Sequence, residues 1–190
     1  MQAQFYQMGK HDILAPGNSY HVFNRTNNKD RMFIDQDNYL HFIKLMKKYL
    51  VEVCEINAYA LIPNHFHMLI SIDPNYDGNI NQNFSNFFNS YAKGFNKWHK
   101  RHGSLFENPY NRSRITSEDH FRRIVAYIHW NPQKHKLVEC FKDYKYSSFS
   151  SYLSDEKDWI SCEKFNQYFK SKYDLLDYHS DFIDNYDGSL

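Results

Sequence analysis

The chain is 190 residues long, enough for one domain with a small appendage. Its 23 Lys and Arg nearly cancel its 22 Asp and Glu, and the net charge of +1 excludes a partner chosen by overall charge. A hydrophobic fraction of 42% with 16 Tyr, 16 Phe and 3 Trp excludes wholesale disorder, and 6 Gly with 5 Pro exclude collagen-like and low-complexity classes. In chain order, residues 19–26 (SYHVFNRT) alternate and predict a strand. Residues 35–51 place Tyr39, Phe42, Ile43, Met46 and Leu50 at helical spacing, with Asp35 as N-cap. Residues 55–61 and 65–72 predict two more strands, joined at Pro63-Asn64 by a turn or an edge irregularity. A long helix over 79–101 carries Ile80, Phe84, Phe87, Phe88, Tyr91 and Phe95. A short strand is expected over 112–116, then a helix capped by Ser117 that runs to about His129, with Pro132 at or just past its end. Beyond Lys136 the pattern is irregular, apart from a short helix near 162–169.

This order of elements matches an α+β fold of the ferredoxin-like, split βαβ type. The expected form is an antiparallel sheet with helices on one face, a further helix carrying the chemistry, and a C-terminal extension. Residues 1–138 are expected to form the domain, and 139–190 an acidic extension packed on it. No apolar run approaches the ~20 residues that span a bilayer. The N-terminus lacks a basic segment followed by an apolar one, and Cys54, Cys140 and Cys162 are odd in number and widely spaced. A cytoplasmic protein with reduced thiols and no membrane partner is expected.

Charge is zoned along the chain. Residues 79–135 hold nine Lys/Arg against three Asp/Glu, a local net of +6, and 139–190 hold six against eleven, a local net of −5. A basic segment interleaved with Tyr91, Trp98, Phe106, Tyr110 and Trp130 suits single-stranded nucleic acid, whose phosphates pair with cations and whose bases stack on rings. Two ordinary solvated faces would give the same zoning.

Two local patterns carry chemistry. In a strand, residues i and i+2 point to one face, so His65 and His67 project together while Phe66 turns to the core. Two imidazoles so placed can bind one divalent metal; alone, they also fit the wet face of any strand. In the helix ending YIHWNP, Tyr127 and Asn131 are one turn apart on one face. Tyr offers a phenolic nucleophile and Asn a carbonyl oxygen for a hard cation. Singly, each reads as an ordinary core or helix-end residue. Together with the histidines they fit one scheme, in which a metal polarises a phosphodiester oxygen and Tyr127 attacks phosphorus. His129, two residues from Tyr127, faces roughly the other side of the helix.

NHFHMLI (64–70) resembles the His-hydrophobic-His signature of HUH single-strand nucleases and transposases. YIHWNP (127–132), SYHVFNRTNNKDRMF (19–33) and SLFENPYNRSRI (104–115) resemble the IS200-like single-tyrosine transposases, nearest to their REP-associated branch. Residues QKHKLV after Pro132 depart from the more apolar, Arg-containing stretch frequent in that family. The resemblance implies a ferredoxin-like domain, a Mg²⁺ or Mn²⁺ site, and cleavage and rejoining of single-stranded DNA through a 5′-phosphotyrosine at an imperfect hairpin. It makes Tyr127 the nucleophile and His65, His67 and Asn131 the metal ligands. Some relatives are dimers that exchange a helix and others are monomers, so a homodimer is one expected form.

Charge and proximity in sequence to Tyr127 make Arg112, Arg114, Arg122 and Arg123 candidate DNA-phosphate contacts, with Lys93 and Lys97 extending the patch. Two rival readings remain. A silent or domesticated relative would bind DNA or RNA hairpins only, but the presence of all four of Tyr127, His65, His67 and Asn131 ranks it lower. A metal hydrolase of small substrates would need Asp or Glu at ligand spacing near the histidines, and none is found there.

Overall fold

The computed structural model of the chain describes residues 11–154, 159–160, 163–186 and 188. Its four strands are β1 (Ser19–Arg25), β2 (Cys54–Ile62), β3 (His65–Ile72) and β4 (Asn111–Arg114). They pair antiparallel throughout, in the order β2-β3-β1-β4. Helix α1 (Gln36–Leu50) links β1 to β2, and α2 (Ile80–Trp98) links β3 to β4. This is the ferredoxin-like arrangement that the order of elements predicted.

Alternation on β3 sorts the molecule into two sides. Phe66, Met68, Ile70 and Ile72 face one way, and His65, His67, Leu69 and Ser71 the other. The Phe66 side is covered by α1 and α2, with ring centroids 5.1 Å from Phe42 and 5.7 Å from Phe88. Both helices start on side-chain caps, of which Asp35 was the expected one. The Asp35 side chain accepts from the Asn38 N–H at 3.0 Å within a reciprocal capping box, and Asn79 accepts from the Gln82 N–H at 3.0 Å. The β2–β3 turn is tied to the segment after β1: the Pro63 carbonyl accepts from the N–H groups of Met32 and Phe33 at 2.7 and 3.0 Å. That anchoring fixes where β3, and so His65, begins.

The other side of the sheet carries α3 (Glu118–Lys134), which contacts β2 and β3. Here the structure corrects the expected helix end. Helix α3 runs past His129 with Pro132 inside it. Proline has no N–H, so it forfeits one bond to the carbonyl four residues back. The last turn survives because the Asn131 and Pro132 carbonyls accept from His135 and Leu137 N–H groups at 3.0 Å each.

The short helix expected in the tail is present, but the irregularity expected around it is corrected. The tail contains α4 (Phe149–Leu153), then that short helix as α5 (Glu163–Tyr168), and α6 (Lys172–Asp184), the last packed along α3; Cys162 lies outside the described residues. The side chains that α6 buries are Leu175 and His179, too few to write an apolar stripe into the sequence.

A chain of buried hydrogen bonds joins β2, α3 and α6. His179 Nδ1 lies 2.7 Å from the Leu175 carbonyl, which can only accept, so Nδ1 carries the proton. His179 Nε2 must then accept from His129 Nδ1–H at 3.0 Å, and His129 Nε2 accepts from the Ser148 hydroxyl at 2.9 Å. The Ser148 oxygen in turn accepts from the Tyr59 N–H of β2 at 2.9 Å. Each imidazole is neutral with one place for its proton, and the Ser148 hydroxyl has the Tyr59 carbonyl, at 3.3 Å, as a longer second acceptor.

Burial lowers His179 to about 4, opposed by its bond to the Leu175 carbonyl. Between an ordinary histidine pKa of about 6.5 and that value, the unfolded chain takes a proton that the folded chain refuses. Stability is therefore full above about pH 6.5 and declines as pH falls towards 4. Urea unfolding should lose roughly 2 kcal/mol at pH 4.5 on this account. His179→Gln, whose amide oxygen can still accept from His129, should give a shallower decline with acidification. Equal slopes in both proteins would refute the assignment.

Candidate active site

Strand β3 presents His65 and His67 with ring centroids 5.3 Å apart. Helix α3 crosses above them. The Tyr127 ring lies 5.5 Å from that of His67, and Asn131 Oδ1, one turn on, lies 3.4 Å from His65 Nε2. The structure thus brings together the four residues that the two sequence patterns singled out.

The proton positions around His65 follow from its neighbours. The Asn131 amide N–H₂ points to the Tyr127 carbonyl at 3.5 Å, which turns Oδ1 towards His65. The Asn64 amide points to the Lys29 carbonyl at 3.4 Å, which leaves its Oδ1 2.7 Å from His65 Nδ1. His65 therefore has an acceptor on each side. Burial, reinforced by His135, lowers it to about 4, so at neutral pH it carries one proton. The shorter contact places that proton on Nδ1, and the Nε2 lone pair faces the Asn131 oxygen. Two facing acceptors are arranged as ligands of a cation. His67 is also kept neutral, its pKa pushed well down by burial and then by His21. Its Nδ1 lies 2.9 Å from His21 Nε2. Among the described residues, no three His, Cys, Asp or Glu gather to hold a metal ion, so a three-ligand protein site here requires the Asn131 amide. The donor set of two imidazoles and one amide oxygen fits a divalent cation such as Mn²⁺.

The geometry adds residues that the sequence reading passed over. The Lys134 ammonium sits 4.8 Å from the Tyr127 ring centroid and donates to the Tyr186 hydroxyl at 3.2 Å. Tyr127, Asn131 and Lys134 are spaced i, i+4, i+7, one helix face; ending the helix before Pro132 hid this. His21 of β1 lies on the same side of the sheet as His67, two residues from Phe23, whose register partner is His67. Beside His65 opens a cavity of about 550 Å³ lined by Asn24, Arg25, Lys29, Glu107, Asn111 and His135. There Arg25 Nε donates to Glu107 at 2.6 Å.

The expected DNA-phosphate contacts are dispersed. By register Arg112 and Arg114 stand opposite Val22 and Tyr20, on the α1–α2 side of the sheet, away from Tyr127. Arg112 donates to the Asp12 carbonyl at 2.6 Å and, with Lys93, lines a second cavity of about 660 Å³. Lys97 is exposed on α2. Arg122 is engaged by α6: it pairs with Asp174 at 2.8 Å, and its guanidinium lies 4.4 Å from the Tyr178 ring centroid. Arg123 is half-buried beside it on α3. His129 is turned away from Tyr127 into the chain of bonds with His179 and Ser148. No described helix is long and apolar enough to cross a membrane.

The family model for IS200-like transposases matches residues 16–131. A Haemophilus influenzae protein assigned as a REP-associated tyrosine transposase is 27% identical over 116 residues, which span 55% of this chain and 66% of that protein. A solved structure of a REP-associated tyrosine transposase bound to a REP hairpin superposes with a TM-score of 0.60 at 20% identity, covering 80% of this chain and 92% of that one. At that identity it shows a shared fold.

Arg122 is held by a carboxylate and aromatic rings, so its loss should be felt first in stability. Arg122→Gln should cost about 1–2 kcal/mol in urea unfolding. Unchanged stability would return Arg122 to the candidate phosphate contacts.

Proposed function

Because the chain belongs to the IS200-like transposase family, we propose that it cleaves and rejoins single-stranded DNA at hairpin-bearing sites through a covalent bond between Tyr127 and a 5′ phosphate. The observation that carries this reading is the convergence of Tyr127, His65, His67 and Asn131 across the β3–α3 contact. The hairpin is proposed from the solved relative, which is bound to a REP hairpin.

The Tyr127 oxygen forms a bond to phosphorus while the bond from phosphorus to the preceding 3′ oxygen breaks. The phenol proton leaves Tyr127, and the departing oxygen takes up a proton to end as a free 3′ hydroxyl. Attack by another 3′ hydroxyl on the tyrosyl phosphate reverses the step and rejoins a strand, so no nucleotide cofactor is needed. Lys134 lies over the Tyr127 ring, where its charge offsets that developing on the phenolic oxygen. His65, His67 and Asn131 would hold Mg²⁺ or Mn²⁺, which when bound polarises a phosphate oxygen and stabilises transition-state charge.

The test is a covalent-adduct assay with single-stranded hairpin oligonucleotides and Mn²⁺, analysed under denaturing conditions. A metal-dependent band of protein carrying DNA is expected, absent in Tyr127→Phe and reduced at least about 100-fold in rate in Asn131→Ala. An adduct that persists in Tyr127→Phe overturns the nucleophile. Tight hairpin binding with no adduct from any oligonucleotide would favour a relative that binds hairpins without cutting them.

A further inference from the structure

The His21 imidazole is 2% exposed, and its ring stacks on that of His67 with centroids 5.1 Å apart. Its Nε2 lies 2.9 Å from His67 Nδ1, and its buried Nδ1 has no hydrogen-bond partner among the described residues. The pair shares one hydrogen between the facing nitrogens, and two arrangements are open. If His21 donates, His67 accepts on Nδ1 and carries its own proton on Nε2. If His67 donates from Nδ1, its Nε2 presents a lone pair, and His21 keeps its proton on the partnerless Nδ1.

We propose that His21 is a positioning residue that accepts from His67 Nδ1–H and so fixes the tautomer in which His67 Nε2 serves as a metal ligand. The inference rests on the metal site of the proposed function and deepens it. Its physical basis is the requirement that an imidazole ligand place its proton on the nitrogen away from the metal, held there by an acceptor. His65 meets that requirement with the Asn64 side-chain oxygen at 2.7 Å. For His67 the acceptor is an imidazole, which unlike a carbonyl can also donate. The partnerless Nδ1 is the same atom in both arrangements, so the surroundings of His21 hold neither one firmly. A cation at His67 Nε2 selects the arrangement in which His21 accepts. His21 also lies within 4.9 Å of the Phe23 ring and 6.2 Å of Tyr127, centroid to centroid, so its ring cannot swing away without displacing them. It touches no reacting atom; it acts through His67.

The experiment uses the full chain without DNA and reads Mn²⁺ uptake by calorimetry in wild type, His21→Phe and His21→Gln. Phe keeps the ring and removes the acceptor; Gln puts an amide oxygen near the position of Nε2. His21→Phe should weaken Mn²⁺ binding by about 10–100-fold, and His21→Gln should stay within about threefold of wild type. Nitrogen-15 spectra of the wild type loaded with diamagnetic Zn²⁺ should show His21 Nε2 as an acceptor, coupled through the hydrogen bond to His67 Nδ1. His21 carrying its proton on Nε2 in the loaded protein overturns the inference, as does equal Mn²⁺ affinity in His21→Phe. Should His21→Phe fail to fold, the wild-type spectra and His21→Gln still decide. A wild type that takes up no Mn²⁺ overturns the metal reading itself and the inference with it. Uptake indifferent to His21 overturns the inference alone.

Discussion

Strand β3 is covered on both sides, and that single constraint sets the rest. With Phe66 wedged against Phe42 and Phe88, His65 and His67 must face α3. A slip of one residue would drive both imidazoles into an aromatic core and put Phe66 at the site. The β2–β3 turn prevents the slip from the other direction, because its carbonyls are already bonded to Thr26, Met32 and Phe33. Burial of the imidazoles has a chemical result as well as a structural one. It keeps them neutral near pH 7, the state in which a ring nitrogen can donate to a metal.

Tyr127 rides on the other partner of this contact, and α3 is held from outside. Ser148 and His179 grip His129, and Asp174 grips Arg122, so the segment beyond the family match braces the helix that carries Tyr127. The histidine chain is directional, each link fixing the proton of the next, and in a low-dielectric interior it resists rotation of α3 about its axis. Such a rotation would move Tyr127 and Asn131 together off the histidines. The acidic zone at the C-terminus therefore has a local use: part of the basic zone is neutralised by Asp174, and the charge that remains for a polyanion is smaller than the sequence count implies.

Much of the fold was legible because it is written in periods of 2 and 3.6. HFHMLISI gave β3 to the residue, Asp35 and Asn79 marked real helix starts, and the order of elements gave the sheet. The pairing of HxH with Tyr-x-x-x-Asn was likewise legible, since each spacing puts two groups on one face. What stayed hidden had specific causes. Pro132 was read as a stop because its cost is local, whereas the structure recovers the last turn with bonds from residues further on. Lys134 was lost with that turn. Helix α6 was invisible because its buried positions include a histidine satisfied by other polar groups. Arg122 looked like a phosphate contact because charge in sequence says nothing about the carboxylate that folds against it. His21 needed the β1–β3 register, a long-range fact that no local pattern contains.

Under the proposed function, the composition of the ligand set has a consequence for how DNA and metal would bind. His65, His67 and Asn131 bring no negative charge, and the carboxylate lining the neighbouring cavity, Glu107, is paired with Arg25. Sites built for Mg²⁺ usually include at least one carboxylate. A divalent cation held by two imidazoles and an amide keeps its charge nearly whole, directed at whatever completes its coordination. A phosphodiester supplies both the missing oxygen ligands and the missing negative charge. Metal and DNA would then each raise the affinity for the other by the same factor, as thermodynamic linkage requires. The three neutral ligands would still take up the metal alone, and a phosphate beside Tyr127 would tighten their hold on it.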